Sequence, residues 1–410
     1  MVSRSIRLRG DWTQIKFAAE AGAYAVSGVD ARRHLKRTAA VGALSLTGSA
    51  VTLSKTTAGG NWWGDDGSAN APTGISPTGL GIPFPNLLSG YVIRAPWKVV
   101  GVDYRAGIQG GVVLKDPATL PTSGSPRRSG NSIILDADNS VLDGYDCSQP
   151  WSVSIQGSAR NCVVRNCKFY LTSSNASNMV MVSTTGTGSV VEYCEFYGNY
   201  FYTVESGFIG FDGPAAGIGG GTVRYCYMER SGSDFIDTFR FNTAPYVIKY
   251  NVIHNSSRGG GVHGDWLQSM GGGVGATYLD FIIDFNLCFN IASMSDIAGP
   301  WGAANTQPAG GTRGILPAGE SGYNATMNGA ISVSKNTFIA YGPTGTVQQF
   351  VSGCNSAYVG IGPNYSQTVN YNYCDPSGIS SWLEQATVPG MQPPVGNRNM
   401  LTGAPMSGST

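Results

Sequence analysis

Between residues 131 and 375 one pattern of apolar and polar positions keeps returning. An apolar residue is followed by two variable ones, a Cys or Asn, one more variable residue, and an apolar or aromatic one. The pattern reads Val164-Arg165-Asn166-Cys167-Lys168-Phe169, then Val191-Glu192-Tyr193-Cys194-Glu195-Phe196 and Val223-Arg224-Tyr225-Cys226-Tyr227-Met228. It continues around Ile248 to Ile253, Ile283 to Cys288, Val333 to Phe338 and Val369 to Cys374. Its fourth position runs Cys167, Cys194, Cys226, Asn251, Asn286, Asn336, Asn372, at intervals of 27, 32, 25, 35, 50 and 36 residues. Alternation within each copy is the period of a strand. A recurring unit with insertions of variable length is the mark of a solenoid. Coils stacked about 4.8 Å apart would set like positions above one another. Asn amides then line up along the axis, and Cys packs as a small buried hydrophobe. The pattern therefore predicts an all-β chain with a right-handed parallel β-helix over 131–375, its longest insertion lying between Ala292 and Asn328.

The flanking segments differ. Ala21-Gly22-Ala23-Tyr24-Ala25-Val26-Ser27-Gly28 recurs twenty positions later as Val41-Gly42-Ala43-Leu44-Ser45-Leu46-Thr47-Gly48. Residues 1–57 thus read as a small β repeat region for attachment and oligomerisation, too small to bury much core alone. Residues 58–130, rich in Gly, Pro, Ser and Thr, read as a linker and helix cap. Residues 376–410, with Pro389, Pro393, Pro394 and Pro405, read as a C-terminal tail or cap rather than another coil.

Composition narrows the function. Among 410 residues, 58 are Gly and only 12% are charged, which suits short strands and tight turns. With 26 basic against 25 acidic residues there is no electrostatic case for nucleic acid or an anionic membrane. Arg4, Arg7 and Arg9 have no apolar core behind them, so no secretory signal is expected. No apolar run is long enough to insert into a membrane. The 8 Cys form no CxxC pair, and neither a metal nor a cofactor is expected. Synthesis in the cytosol favours reduced, stacked thiols, with disulfides formed after release as the alternative.

The coils, together with His263-Gly264-Asp265-Trp266-Leu267-Gln268, resemble the parallel β-helix spikes and fibres of tailed bacteriophages, the tailspike or collar and neck spike family. The N-terminal repeat is similar to small repeats in virion proteins of phages of soil alphaproteobacteria. The run from Trp97 to Pro117 is similar to the entry segment of such chains. The resemblance covers about 245 residues of the helix and 55 of the head. It implies a homotrimer in the phage virion, made in the host cytoplasm and released by lysis. The N-terminus would contact other virion proteins, and the helix would face host cell-surface polysaccharide.

Two clusters carry the candidate chemistry. Asp234, Asp237, His263 and Asp265 are the candidate catalytic residues, about one coil apart. Paired carboxylates can hydrolyse a glycoside as acid and base. A His or Arg beside a carboxylate can instead abstract the proton next to a uronate carboxyl group. Glu229, Arg240, Arg258, Trp266, Gln268, Tyr200 and Tyr202 are the candidate glycan contacts. Against both stands a plain alternative, in which the Asp side chains cap turns and the aromatics fill the core. A structural or adhesive appendage is the favoured function, and a polysaccharide depolymerase is the alternative.

Overall fold

The computed structural model describes four N-terminal strands and residues 83–409, except 149, 158, 171–181, 185, 199–206, 212–219, 232–233, 239–244, 256–263, 270–276, 279, 292–312, 317–325, 342–346, 354–359 and 385–388. The chain divides into two units, Met1–Thr73 and Gly74–Thr410. In the first, Ser5–Arg7 and Ala23–Val26 flank His34–Thr38 antiparallel, and Ser45–Leu46 joins the other edge of Ala23–Val26. The two repeat copies pair with each other in parallel. Ala25 faces Ser45 and Val26 faces Leu46, which is the twenty-residue offset of the repeat.

In the second unit the chain visits three sheets in a fixed order and returns. The first sheet has ten strands, from Arg127–Ser129 at one edge to Ile379–Glu384 at the other. The second has eight, from Val141–Asp143 to Ser366–Asn370, and the third has eight, from Lys168–Tyr170 to Arg398–Asn399. Neighbouring strands are parallel, as in Val190–Val163, Phe196–Phe169 and Ile236–Ile209, except where Arg127–Ser129 turns back on Ser132–Leu135. Among the described residues the unit is all-β, with one 3-10 turn at Pro117–Thr119 and no α-helix. Part of the longest insertion joins in, since Arg313–Leu316 extends the first sheet and Thr326–Met327 lies in a separate three-stranded sheet. One apolar core runs between the sheets from Leu120 to Met406.

What stacks the circuits is the turn between the second and third sheets. Its Asn side chains form a continuous buried column. The Oδ1 of Asn286 accepts from both the backbone N–H and the Nδ2 of Asn251, each at 3.0 Å. Its own Nδ2 donates to Ile248 O at 2.9 Å and to Asn336 Oδ1 at 3.0 Å. The same bonds recur from Asn336 to Asn372, and from Asn372 to Asn397. Each interior amide thus has both donors and its acceptor oxygen satisfied, which removes the cost of burying it. The Cys rungs do part of this work. The thiols of Cys194 and Cys226 point at Val164 O and Val191 O, both at 3.6 Å, the carbonyls an Asn amide would use at those rungs. All seven described Cys are free and buried.

The residue just before each rung has a left-handed backbone. Asn166, Tyr193, Tyr225, Tyr250, Phe285, Lys335 and Tyr371 all have φ between 53° and 58°, and Gly144 and Gly396 continue the column at its ends. Such a conformation costs about 1–2 kcal/mol for a non-glycine residue. Stacking offsets part of that cost. The rings of Tyr193 and Tyr225 lie 5.2 Å apart, those of Tyr225 and Tyr250 5.0 Å, and those of Tyr250 and Phe285 5.2 Å, all near parallel.

The segment expected as linker and cap takes two forms where it is described. Residues 83–116 form a strap along the outside of the third sheet; from Phe84 at the middle circuits it reaches the last ones at Tyr91 and then runs back against their order. The Tyr91 hydroxyl binds Asp375, and Ile93 N–H binds Met400 O, at the last circuits. Trp97 packs edge-on against Phe285 and Tyr373. Further along, Arg105 pairs with Glu195 at 2.5 Å, Gln109 N–H binds Asn166 Oδ1, and Lys115 N–H binds Gly144 O at the first circuit. The reason lies in the outward positions of this sheet, which include Val252, Leu287 and Phe289; such a sheet must be covered on both faces. At Gly101 the approach is so close that a Cβ would sit 2.8 Å from Val252 and 3.3 Å from Leu287. Residues 117–129 lie at the start of the first sheet, with Leu120 in the core and Arg127–Ser129 antiparallel to Ser132–Leu135.

The tail departs from its expectation as something other than a coil. Ile379–Glu384 and Arg398–Asn399 add strands to the first and third sheets, and Asn397 adds a rung. On the second-sheet side, among the described residues, the single bridges Gln367–Met391 and Asn370–Val395 form in place of a ladder. Pro393 and Pro394 lie there and have no N–H to complete a ladder. Beyond it the chain folds back, with Met406 N–H on Asn397 O and Arg398 bridged to Pro405.

The column makes a graded prediction for chemical denaturation. Asn286→Ala strands two donors of Asn251 and one carbonyl, and should cost about 3–5 kcal/mol. Asn251→Cys should cost less than Asn286→Cys, because the rung before Asn251 offers only the Cys226 N–H, whereas Asn286 receives two donors. Equal losses in the two Cys variants would contradict the hydrogen-bond accounting.

Candidate functional site

Two polar clusters emerge, on different sheets. In the first sheet, Asp237 faces Gln268 across neighbouring strands, and Asp234 precedes its strand as Asp265 begins the next. The backbone N–H of Asp265 donates to Asp234 Oδ1 at 2.6 Å, and Phe235 N–H donates to Asp265 O at 3.0 Å. The fold thus brings together Asp234, Asp237, Asp265 and Gln268. Their exposure is 3%, 3%, 0% and 1% respectively, so they do not line an open groove. A Cβ on Gly207 would come within 2.5 Å of an Asp237 carboxylate oxygen, which shows how closely the backbone packs there. Burial, and then the charges of Asp237 and Asp265, push the Asp234 carboxyl well above its ordinary value.

Trp266 is part of the core. Its ring stacks on Phe338 and Phe350 at 5.7 and 6.0 Å, and its Nε1 donates to Asn290 Oδ1 at 3.3 Å. With no exposed surface it makes no glycan contact in this arrangement. The strand Asp265–Ser269 is buried at every position, so it has no solvent face to offer.

Glu229 lies in the third sheet, away from the aspartate strands, beneath the strap. The Tyr227 hydroxyl donates to Glu229 Oε2 at 2.7 Å and lies 2.9 Å from His254 Nε2. Arg230 supplies the charge partner, at 2.5 Å. Burial raises the Glu229 carboxyl, but His254, Arg230 and Tyr227 outweigh it and hold the group below its usual value. Burial lowers His254, against the pull of Glu229. Phe84 of the strap covers this network, its ring edge-on to His254 at 5.1 Å and to Phe289 at 5.0 Å. The burial and partners of this cluster suit a buried polar network under a lid rather than a solvent-facing acid and base.

His263, Arg240, Arg258, Tyr200 and Tyr202 lie outside the described residues. Among the described residues no group of three His, Cys, Asp or Glu side chains is arranged to hold a metal ion, and no helix is long and apolar enough to cross a membrane. Two features went unread in the sequence. The Tyr227–Glu229–His254 network carries a weak signal, since Tyr227 and Glu229 alternate on one strand and His254 falls one motif copy later. Asn397 was hidden because Pro394 stands where other copies have Val or Ile. No protein-family model, curated protein or solved structure matches the chain.

The titration of Asp234 has a defined sign. A folded-state value raised above the unfolded one gives stability that is complete below the ordinary carboxylate range and is lost as pH rises through the raised value. Asp234→Asn keeps an oxygen for the Asp265 N–H and removes the titration. Its melting temperature should match wild type near pH 4 and exceed it at alkaline pH. Asp234→Ala, lacking the acceptor, should be less stable than wild type near pH 4. Melting curves across pH that run parallel for wild type and Asp234→Asn would refute this.

Proposed function

We propose that the protein is a structural or adhesive appendage of a phage virion. In this reading unit 2 is a right-handed parallel β-helix, residues 1–57 attach a homotrimer to other virion proteins, and the rod is displayed towards host surface polysaccharide. The protein would be made in the host cytoplasm and released by lysis. The observation that carries this reading is the burial of the carboxylates: Asp234, Asp237 and Asp265 are enclosed in the wall, where Asp234 accepts from the Asp265 N–H, and Glu229 is covered by the strap. The stacked rungs and the lengthwise strap support a stiff element. Each circuit adds about 4.8 Å, so the stack is of the order of 35–40 Å long.

One observation favours the alternative, a polysaccharide depolymerase. A carboxyl raised by burial and by two neighbouring carboxylates is how hydrolases keep an acid protonated beside a base. The experiment separates the two. Purified protein is incubated with capsule, exopolysaccharide and lipopolysaccharide, and new reducing ends and the ultraviolet absorbance of unsaturated uronates are scored. The appendage reading expects no turnover and retained binding to a surface polysaccharide or to cells. Turnover that is lost in Asp237→Ala or Asp265→Ala would establish the depolymerase, with the absorbance dividing lyase from hydrolase.

A further inference from the structure

The first sheet ends in an open edge. Among the described residues Ile379–Glu384 pairs with Val347–Ser352 alone, in parallel. Val347 N–H binds Gly378 O at 3.3 Å and Gly353 N–H binds Glu384 O at 2.8 Å. This register turns the backbone groups of the even-numbered residues into the sheet and those of Ile379, Ser381 and Leu383 outward. Two of the outward groups are already used: Ile379 N–H donates to Pro376 O, and Leu383 O accepts from Ser381 Oγ at 3.0 Å. The C=O of Ile379, both groups of Ser381 and the N–H of Leu383 face outward.

The same strand forms one wall of an open cavity of about 570 Å³, closed opposite by the chain from Pro405 to Gly408. That volume lies within the range of small-ligand sites. Trp382 is half-buried in the wall, and its indole N–H is tied to Ser407 O at 2.8 Å, which sets the plane of the ring. Pro376, Pro394 and Pro405 stiffen the lining, Ser380 is exposed, and among the described residues no charged side chain takes part.

We propose that this cavity binds an uncharged saccharide. Trp382 offers an aromatic surface for a sugar ring. Hydroxyl groups both donate and accept, so they can use isolated backbone N–H and C=O groups. A uronate or sialate would lose hydration with no cation to pair it. An extended peptide fits less well, because strand addition needs an uninterrupted ladder and this edge is blocked at both ends. The inference rests on the adhesive reading for the source of its ligand, but names a place and a chemistry that reading leaves open.

The test titrates the full chain with dextran, laminarin and mannan oligosaccharides, and with oligogalacturonate and hyaluronan oligosaccharides. Binding is read by calorimetry and tryptophan emission. Wild type is compared with Trp382→Ala, Trp382→Phe and Ser380→Arg; thermal melts check folding, and Ser380→Arg covers the case in which Trp382→Ala fails to fold. A neutral saccharide should bind, with affinity about tenfold or more weaker in Trp382→Ala and Ser380→Arg and largely kept in Trp382→Phe. Unchanged affinity in folded variants, binding of the acidic oligosaccharides alone, or preference for an extended peptide would overturn the proposal. If wild type and variants bind a polysaccharide equally, the cavity is wrong and the adhesive reading survives. If wild type binds no polysaccharide and no cell, both fall.

Discussion

A buried side-chain amide that meets its own copy one circuit away is the interaction on which this architecture depends. A polar group inside a protein is costly unless every donor and acceptor finds a partner. The Asn column solves that by translation: the oxygen of one rung takes the N–H and the Nδ2 of the rung before, and its own amide reaches onward. Such a solution works only if successive circuits keep the same spacing and phase. The amides therefore act as a ruler for the parallel strands on either side. The left-handed residues before the rungs belong to the same device, since that backbone turns the chain sharply between two sheets while the rung faces the core. Cys fills the role less completely, with one weak donor in place of two good ones. Those rungs occur where the in-register stack of Phe169 on Phe196, 4.6 Å apart, adds apolar contact.

A stack of repeats normally couples each unit to its neighbours alone. The strap changes that. It ties Tyr91 to Asp375 across 284 residues and Arg105 to Glu195 across 90, and reaches Gly144 at the far end. Loss of any one circuit would thus be felt along the whole third sheet. The strap also explains the ionisable groups on the outside of that sheet. Glu195 and Asp375 would sit in water on an uncovered face; beneath the strap each has a dedicated partner in Arg105 and Tyr91. Because these contacts join residues distant in sequence, they can form only once several circuits exist.

The period of the motif was enough to read the stacking, since a short repeat with a polar fourth position has few ways to bury that residue. It did not reveal the left-handed column. Tyr and Phe at those positions carry no turn signal, and the backbone is held by stacking between circuits. Nor did it reveal the strap, which has no period and whose side-chain partners lie as far as 284 residues on. The proximity of Asp234, Asp237, Asp265 and Gln268 followed from counting motif copies. Their burial did not, because Asp265–Ser269 is enclosed on both faces and alternation then gives no inside or outside. Pro393 and Pro394 argued against a further coil; the chain makes the rung anyway, leaving the second-sheet side with single bridges.

A periodic scaffold also constrains where function can reside. Each position in a column is bounded by its own counterparts, so a side chain altered for binding must still satisfy the groups stacked on it. Asn286 cannot both hold Asn251 and reach a ligand. Recognition is therefore easiest where the repeat is interrupted: in the insertions between strands, along the strap, and at the ends of the sheets. The last strand of the first sheet is such a place. It keeps the core packing of Leu383 and Ile379 against the circuit before it, while no circuit after it makes demands on its outer edge. The fold-back through Met406 closes the core there, and what remains is a walled opening with outward-facing backbone groups. The end of a stack of parallel strands is where packing rules relax first, and on this chain it is also where an aromatic ring and outward-facing backbone groups coincide.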